Sequence, residues 1–455
     1  MIMLSKIDPK LKDAIDLASN WLEYQCYIKR VPGVSFGIIK DDKLVYSNNY
    51  GYSDVENNKL ASNNTAYRIA SISKIFTSVA ILQLVEKKLL NLDDLVSKHL
   101  EWFKSDSDIN LKDISIRHLL FHCSGLIRES DENYWNNDKF PTVEEIKKFI
   151  SQKPSVYPVL KTWKYSNLGY GILGLVIEKV SGKKYEDYVK ENIIKKLNLT
   201  HTEPDLTKDS INYLATGYSR DVPNEKRSPF QHVKTNGLIS ATGFLSNVED
   251  LSKLLIALFN DNNNSILSLV SRKEMMRIQW EKDQTVKWSL GFQITKLKDT
   301  TIYGHHGGFP GFITSVGYSP NSALGIVILT NCIDGPSALW LQSMFNILIT
   351  AMNNYDSYSS NKKINLERYV GRYGSREGCF DVRKINNTLL MFNSPYLDPF
   401  YEVYVLEYKK DDTFFIKSGN GVGNIGEDVR FIFKGKKIEK VIVGFDESTP
   451  EVIKR

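Results

Sequence analysis

The chain reads as an α+β protein: an antiparallel sheet flanked by helices with a helical subdomain, followed by a small all-β, barrel-like domain. Three observations predict it. Short apolar strand-like runs occur near the N-terminus and again after Thr300, with helix-periodic and loop sequence between them. A helical pattern then closes this region near residue 350 and gives way to the polar, aperiodic stretch 353–363 (NNYDSYSSNKK). Beyond it the helix period disappears and short strand signals recur. The order strands, helices, strands, helix suits one sheet whose N- and C-terminal strands meet. The predicted division is 1–352 for the first domain, 353–365 for a linker and 366–455 for the β-domain.

Each element has its own warrant. Leu11, Ile15, Leu17 and Leu22 recur at helical spacing and predict an amphipathic N-terminal helix. Residues 34–40 and 43–50 are apolar runs split by Asp41-Asp42, which reads as a hairpin. A helix is predicted from Ser71, with Ile75, Phe76, Val79, Leu82 and Val85 as its core stripe. Residues 91–300 read mostly as helices and loops, with helices over 168–180, 184–195 and 248–258; Gly182 stops the first. Strands over 311–318 and 323–330 flank the turn Ser319-Pro320-Asn321, and a closing helix covers 337–352. In the C-terminal part, 388–393, 413–417, 429–433 and 438–445 look like strands of a barrel or half-barrel.

Composition narrows the function classes. A length of 455 residues fits two to three domains at roughly 100–200 residues each. Apolar content of 42% and charge of 25% are those of an ordinary globular protein. A net charge of +6 without a dense Lys/Arg block argues against nucleic acid or an anionic membrane as partner. The chain has neither a window of about 18 apolar residues nor an N-terminal apolar core with a cleavage site, so a cytoplasmic protein without a membrane span is expected. Cys26, Cys123, Cys332 and Cys379 lie far apart without metal-ligand spacing, and isolated thiols in a reducing compartment are expected.

Three short stretches carry chemistry. In Ser71-Ile72-Ser73-Lys74, residues three apart share a helix face, so the Ser71 hydroxyl and the Lys74 amine sit side by side. Serine is a weak nucleophile until a base takes its proton, and a buried lysine with a lowered pKa can be that base. Exposed N–H groups at a helix start favour an oxyanion. Tyr165-Ser166-Asn167 offers a phenol for proton relay and an amide for a substrate carbonyl; a core tyrosine followed by an Asn helix cap fits the same spacing. In residues 304–312 (GHHGGFPGF), glycines on an edge strand let a substrate backbone approach closely. His305 or His306 can supply a donor or positive group there, and the Gly308 N–H can face an oxyanion. Neighbouring strand residues point to opposite faces, which argues against His305 and His306 as a metal pair. His118 and His122, at i and i+4, can also suggest a metal pair.

Taken together, these pieces resemble the serine β-lactamase and penicillin-binding protein superfamily, in its class C β-lactamase-like branch of carboxypeptidases, esterases and D-aminopeptidases. The three signatures stand in the required order: Ser71-x-x-Lys74, Tyr165-x-Asn167, and His305-x-Gly307 where the family has a Lys-Thr-Gly-like box. The phrases Pro32-Gly33-Val34-Ser35, Leu92-Asp93-Asp94-Leu95, 118–126 (HLLFHCSGL) and Leu290-Gly291-Phe292 are typical of the branch, and the resemblance covers roughly residues 20–350. It implies a β-lactamase/transpeptidase-like fold, Ser71 as acylated nucleophile, Lys74 helping to deprotonate it, and Tyr165 exchanging protons with nucleophile and leaving group. It further implies that Asn167, His305, His306 and Gly307 bind substrate, and that the Ser71 and Gly308 N–H groups form the oxyanion hole. In this family the segment with His118 and His122 is structural, close under the site. Residues 366–373 (LERYVGRY) look like the start of a lipocalin-like β-domain appended to some bacterial and archaeal members, shielding the site entrance or making subunit contacts.

The departures shape the functional expectation. His305 stands for a lysine, so charge there depends on pH, and His306 stands for a small hydroxyl residue that bonds a substrate carboxylate in many relatives. The expected function is a serine hydrolase, without metal or organic cofactor, that cleaves an ester or amide in a small molecule or short peptide through an acyl-enzyme. Esterase or D-amino-acid peptidase action is favoured. A true β-lactamase, a D-Ala-D-Ala carboxypeptidase and a non-catalytic scaffold or ligand-binding relative are the alternatives, and self-association into a homo-oligomer is left open.

Overall fold

Asp41 and Asp42 take positive φ (49° and 60°), the mirror-image turn geometry that folds Gly33–Lys40 back onto Lys43–Asp54. The computed structural model describes residues 8–130, 135, 139–260, 266–354, 364–421 and 424–453. Two compact units result, Val31–Leu341, and Met1–Arg30 with Gln342–Arg455.

In the first unit the hairpin joins a nine-stranded antiparallel sheet. The order is Lys59–Leu60, Lys43–Asp54, Gly33–Lys40, Leu324–Thr330, Phe312–Ser319, Thr300–Phe309, Gln293–Leu297, Val286–Trp288 and Trp280–Glu281. Val34 lies opposite Thr330 and Lys40 opposite Leu324, so early and late strands meet as the sequence order predicts. Leu324–Thr330 is buried along its whole length, as a central strand covered on both faces must be. Both margins of the sheet are two-residue strands. The last three strands fall where the sequence reads as helix and loop, because runs of two to five residues are too short to display a period.

The helix Ser73–Glu86 is buried on every side, not along one stripe. Its non-aliphatic face is made of small hydroxyls that find acceptors. Thr77 Oγ1 donates to the Ser240 carbonyl at 2.6 Å, and Ser78 Oγ lies 3.3 Å from the Tyr170 hydroxyl. Asn167–Ser181 ends at Gly182, whose φ of 68° supplies the left-handed stop. The expected helix over 184–195 is shorter, Tyr185–Val189 followed by a π-turn over Lys190–Ile194. Asn247 caps Val248–Phe259 by accepting the Asp250 N–H at 2.9 Å.

In the second unit eight strands close an antiparallel barrel in chain order, from Gly371–Gly374 to Asp446–Pro450, which fits the expected lipocalin-like module. Only four strands are expected there; of the others, Gly371–Gly374 and Asp446–Pro450 are short, Val403–Lys410 is interrupted by bulges, and Cys379–Ile385 blurs its alternation by burying the charged Asp381 and Arg383 beside Val382 and Ile385. The expected strand over 438–445 splits at Gly444, whose φ of 59° turns Lys437–Val443 into Asp446–Pro450. Tyr373, Val382, Leu389, Phe414, Ile416, Val429, Phe431 and Val441 fill the core of this module. The helix Pro9–Ile28 belongs to the same unit, whereas the sequence reading grouped it with 31–352. The reason is polar anchoring: Asp13 takes Lys384 Nζ at 3.1 Å and the Asn386 N–H at 2.8 Å, and Trp21 Nε1 donates to the Tyr396 carbonyl at 2.9 Å. Asn353 and Asn354 continue the closing helix Ser337–Asn354, and most of the expected linker lies outside the described residues. Among the described residues no helix is long and apolar enough to cross a membrane.

Candidate active site

The segment leading to Ser71 is fixed before it reaches the site. Tyr67–Arg68 pairs with Leu245–Ser246, and the fully buried Arg68 guanidinium holds Asp205 at 2.9 Å. Ala70 takes φ 47°, a left-handed conformation that costs an L-residue about 1 kcal/mol and persists only where its surroundings impose it. Ser71 follows in the short 3₁₀ turn Ala70–Ile72, directly ahead of Ser73–Glu86. The turn keeps the three-residue spacing, and Lys74 Nζ reaches Ser71 Oγ at 3.3 Å.

Lys74 is buried with no carboxylate bonded to it. Its other two partners are neutral acceptors, Asn167 Oδ1 at 2.7 Å and the Ala241 carbonyl at 2.8 Å. Burial drives its pKa well below the usual lysine range; Glu129 opposes the fall and Arg128 adds to it. Asn167 is free to reach Lys74 because it is not the helix cap. Ser166 is, accepting the Gly169 N–H at 2.9 Å, and Asn167 sits on the first turn with Nδ2 donating to Glu129 Oε1 at 2.6 Å.

Tyr165 precedes that cap and lines the same cavity as Ser71. Burial raises its pKa above the ordinary tyrosine range, against the opposing influence of the Ser71 hydroxyl and the charge of Arg128. Desolvation thus outweighs the nearby cation, and the phenol stays protonated. His122 lies against it, ring centroids 4.3 Å apart, with Nδ1 accepting the Ser166 N–H at 3.2 Å. Trp163 and Trp288 stack on each other at 4.8 Å beside the same imidazole. His118 Nδ1 accepts the Ser115 N–H in a capping box, so each of these two histidines has a structural partner rather than a shared metal.

The glycine-rich segment is the C-terminal half of Thr300–Phe309. This strand is interior to the sheet, not an edge, yet its pairing with Gln293–Leu297 ends at Gly304 opposite Gln293. From His305 onward it pairs only with Phe312–Ser319, leaving one side open toward Ser71. A Cβ on Gly307 would stand 2.2 Å from the Ile69 carbonyl, so only glycine lets the strand pass the nucleophile turn this closely. Gly308 lacks that restriction; its Cβ would meet only Ile313 Cδ1, at 3.5 Å. His305 Nδ1 donates to the His306 carbonyl at 2.8 Å, which leaves Nε2 an unprotonated, buried acceptor without a hydrogen-bond partner among the described residues. Burial, with Lys74 adding, holds the His305 pKa at about 3, and burial holds His306 at about 4. The expected pH-dependent charge at His305 near neutrality is thus corrected: desolvation keeps both rings neutral. His306 Nδ1 lies 2.9 Å from Ser315 Oγ.

Ser71, Tyr165, Asn167, His305, His306, Gly307 and Gly308 all line one open cavity of about 470 Å³, with Lys74 beneath Ser71. Sequence reasoning missed Arg128, Glu129, Trp135, Trp163 and Trp288 in or beside its wall. Arg128 and Glu129 stand just past the HLLFHCSGL phrase, after Ile127, and the phrase marks the neighbourhood; the tryptophans carry no motif.

A model of the beta-lactamase family matches residues 21–338. "Protein flp" of Staphylococcus aureus (strain N315) is 27% identical over 356 residues, covering 77% of this chain and 69% of that protein. Penicillin-binding protein 4* of Bacillus subtilis (strain 168) is 27% identical over 286 residues, covering 60% of this chain and 62% of its own length. The solved octameric penicillin-binding protein homologue from Pyrococcus abyssi is 24% identical, covers 96% of this chain and 100% of that one, and superposes with a TM-score of 0.66, a likeness of fold. The chain belongs to the beta-lactamase family of serine hydrolases.

Proposed function

We propose that this protein is a serine hydrolase that cleaves esters or amides of small molecules or short peptides lacking a carboxylate beside the scissile bond. The observation that carries the reading is the setting of Lys74, a desolvated amine 3.3 Å from Ser71 Oγ whose remaining partners are neutral oxygens. In the reaction, Lys74 takes the Ser71 proton as Oγ bonds to the carbonyl carbon. The Ser71 and Gly308 N–H groups hold the oxyanion, and Tyr165 passes a proton to the departing nitrogen or oxygen as its bond to carbon breaks. Water then attacks the acyl-enzyme, its proton returns through the same groups, and Ser71 is released.

Substrate class follows from the wall. Neutral His305 and His306 offer no fixed cation for a carboxylate. Arg128 lines the cavity, but its Nε is engaged by Glu129 at 3.1 Å. The stacked Trp163 and Trp288 favour an apolar or aromatic acyl portion. Esterase or D-amino-acid peptidase action is preferred on these grounds to β-lactam or D-Ala-D-Ala hydrolysis. Self-association, known for the Pyrococcus homologue, is proposed for this chain as well.

A fluorophosphonate probe tests the central step. It should label the wild type at Ser71 and leave Ser71→Ala unlabelled; equal labelling of both overturns the assignment. A panel of p-nitrophenyl esters, D- and L-aminoacyl anilides and β-lactams then ranks the substrates.

A further inference from the structure

The two ends of an asparagine amide are alike in shape, and which end faces which neighbour is decided by hydrogen-bond chemistry. Glu129 carboxylate accepts only, so Nδ2 of Asn167 must be the end that meets it, at 2.6 Å. Oδ1 is then the end presented to Lys74, at 2.7 Å. Oδ1 and the Ala241 carbonyl are both pure acceptors, so each takes one N–H from Lys74. A neutral amine has only those two N–H bonds, and its lone pair is left on the third direction, toward Ser71 Oγ at 3.3 Å.

We infer that Glu129 is a positioning residue: by fixing the orientation of the Asn167 amide, it holds the lone pair of Lys74 on Ser71 Oγ. The inference rests on the reading of Lys74 as the base for Ser71. The frame around Glu129 is rigid. The Arg128 carbonyl accepts the Asn167 N–H at 2.8 Å and the Leu168 N–H at 3.2 Å, and Ser166 Oγ donates to the Ile127 carbonyl at 2.8 Å. Glu129 thus rides on the start of the helix that carries Asn167. With an amide turned the other way, Nδ2 would face Lys74, and the amine would have to aim its lone pair at that donor instead of at Ser71.

Glu129 also acts through its charge. The groups facing Lys74 are Glu129, Arg128, Tyr165, Tyr170, His122 and His305. Tyr165 and Tyr170 are held protonated and His122 and His305 uncharged, which leaves Glu129 and Arg128 as the opposed charges that trim the amine.

Two measurements on the full chain test this. The first is ¹³Cε-lysine NMR, with the Lys74 resonance assigned by Lys74→Arg. In Glu129→Gln the Lys74 midpoint should fall by about one pH unit, because the ammonium loses a nearby anion. An unchanged midpoint overturns the electrostatic part whether or not the protein turns over substrate. The second is the rate of fluorophosphonate labelling at Ser71 against pH. Glu129→Ala should lose about tenfold or more at the plateau, with Glu129→Gln retaining more rate because its carbonyl can still accept from Asn167. A Glu129→Ala plateau equal to wild type, with unaltered thermal unfolding, overturns the positioning role. Absence of Ser71 labelling in the wild type would instead overturn the hydrolase reading, and the NMR titration would still decide the case of Glu129.

Discussion

Two regions of this molecule bury cations, and they do so in opposite ways. In the barrel unit, Asp381 holds Arg372 at 2.8 Å and Arg383 at 2.9 Å, all three nearly closed to solvent. Around Ser71, Lys74 is equally buried but bonded to an amide oxygen and a backbone carbonyl. An arginine with a carboxylate remains charged at any relevant pH and locks geometry. A lysine given only neutral acceptors can surrender its proton, which a base needs and a structural tie does not. The difference teaches that the counter-ion, more than burial itself, separates a cation that holds the fold from one that reacts.

Exchanging the two losses gives the largest expected contrast. Lys74→Met should lower fluorophosphonate labelling at Ser71 by about 10²–10⁴-fold with little change in melting. Asp381→Asn should leave labelling intact and lower unfolding free energy by about 3–5 kcal/mol, read by calorimetry, since two buried guanidinium groups lose their anion. If Asp381→Asn slowed labelling as much as Lys74→Met, the contrast would dissolve.

Tyr165→Phe comes next. Removing one hydroxyl should reduce kcat by about 10²-fold while the ring keeps its place against His122, so melting barely moves. The glycines sharpen the picture at smaller scale: Gly307→Ala should cost about 1–3 kcal/mol through collision with the Ile69 carbonyl, whereas Gly308→Ala should stay within about 0.5 kcal/mol. The smallest expected effect is in the pH profile. Lys74 must be neutral to act, and its pKa is lowered, so activity should be present above that pKa, extend to lower pH than an ordinary lysine would allow, and be lost as pH falls through it. The raised pKa of Tyr165 removes any decline near pH 10. His305 at about 3 and His306 at about 4 are already neutral above pH 5, so His306→Gln should alter KM and leave the profile's shape between pH 5 and 8 unchanged.

Much of the sheet and the cluster around Ser71 was legible because the signals were strong and local. Asp41-Asp42 between apolar runs, the run from Ile75 to Val85 and Gly182 after a helical stretch each predict their element from residue chemistry alone. Ser71 and Lys74 are neighbours by helical period, so their contact is written in the chain. What escaped depends on distant groups. Tyr165 looks open to a lowered pKa when only nearby cations are considered, and only the packed rings around it reveal that desolvation wins. The role of Glu129 needs the flip of an amide that no spacing encodes. The barrel gave four legible strands of eight, since Gly371–Gly374 and Asp446–Pro450 are too short to show a period and bulges at Val405/Leu406 and Tyr408/Lys410 disturb it in Val403–Lys410.

The blunt margins of the sheet and the closure of the barrel have a bearing on life in a crowded solution. An outer strand with a long run of unsatisfied amides acts as a template on which foreign polypeptide can zip. Here the first sheet tapers to Lys59–Leu60 and Trp280–Glu281, and the eight strands of the second unit seal against each other. The second unit thereby keeps its adhesive backbone out of reach of its neighbours once folded, whereas in the first Lys59–Leu60 covers only the Tyr52–Asp54 end of Lys43–Asp54 and leaves residues 43–50 without an outer strand partner among the described residues, the stretch most open to fibrous assembly.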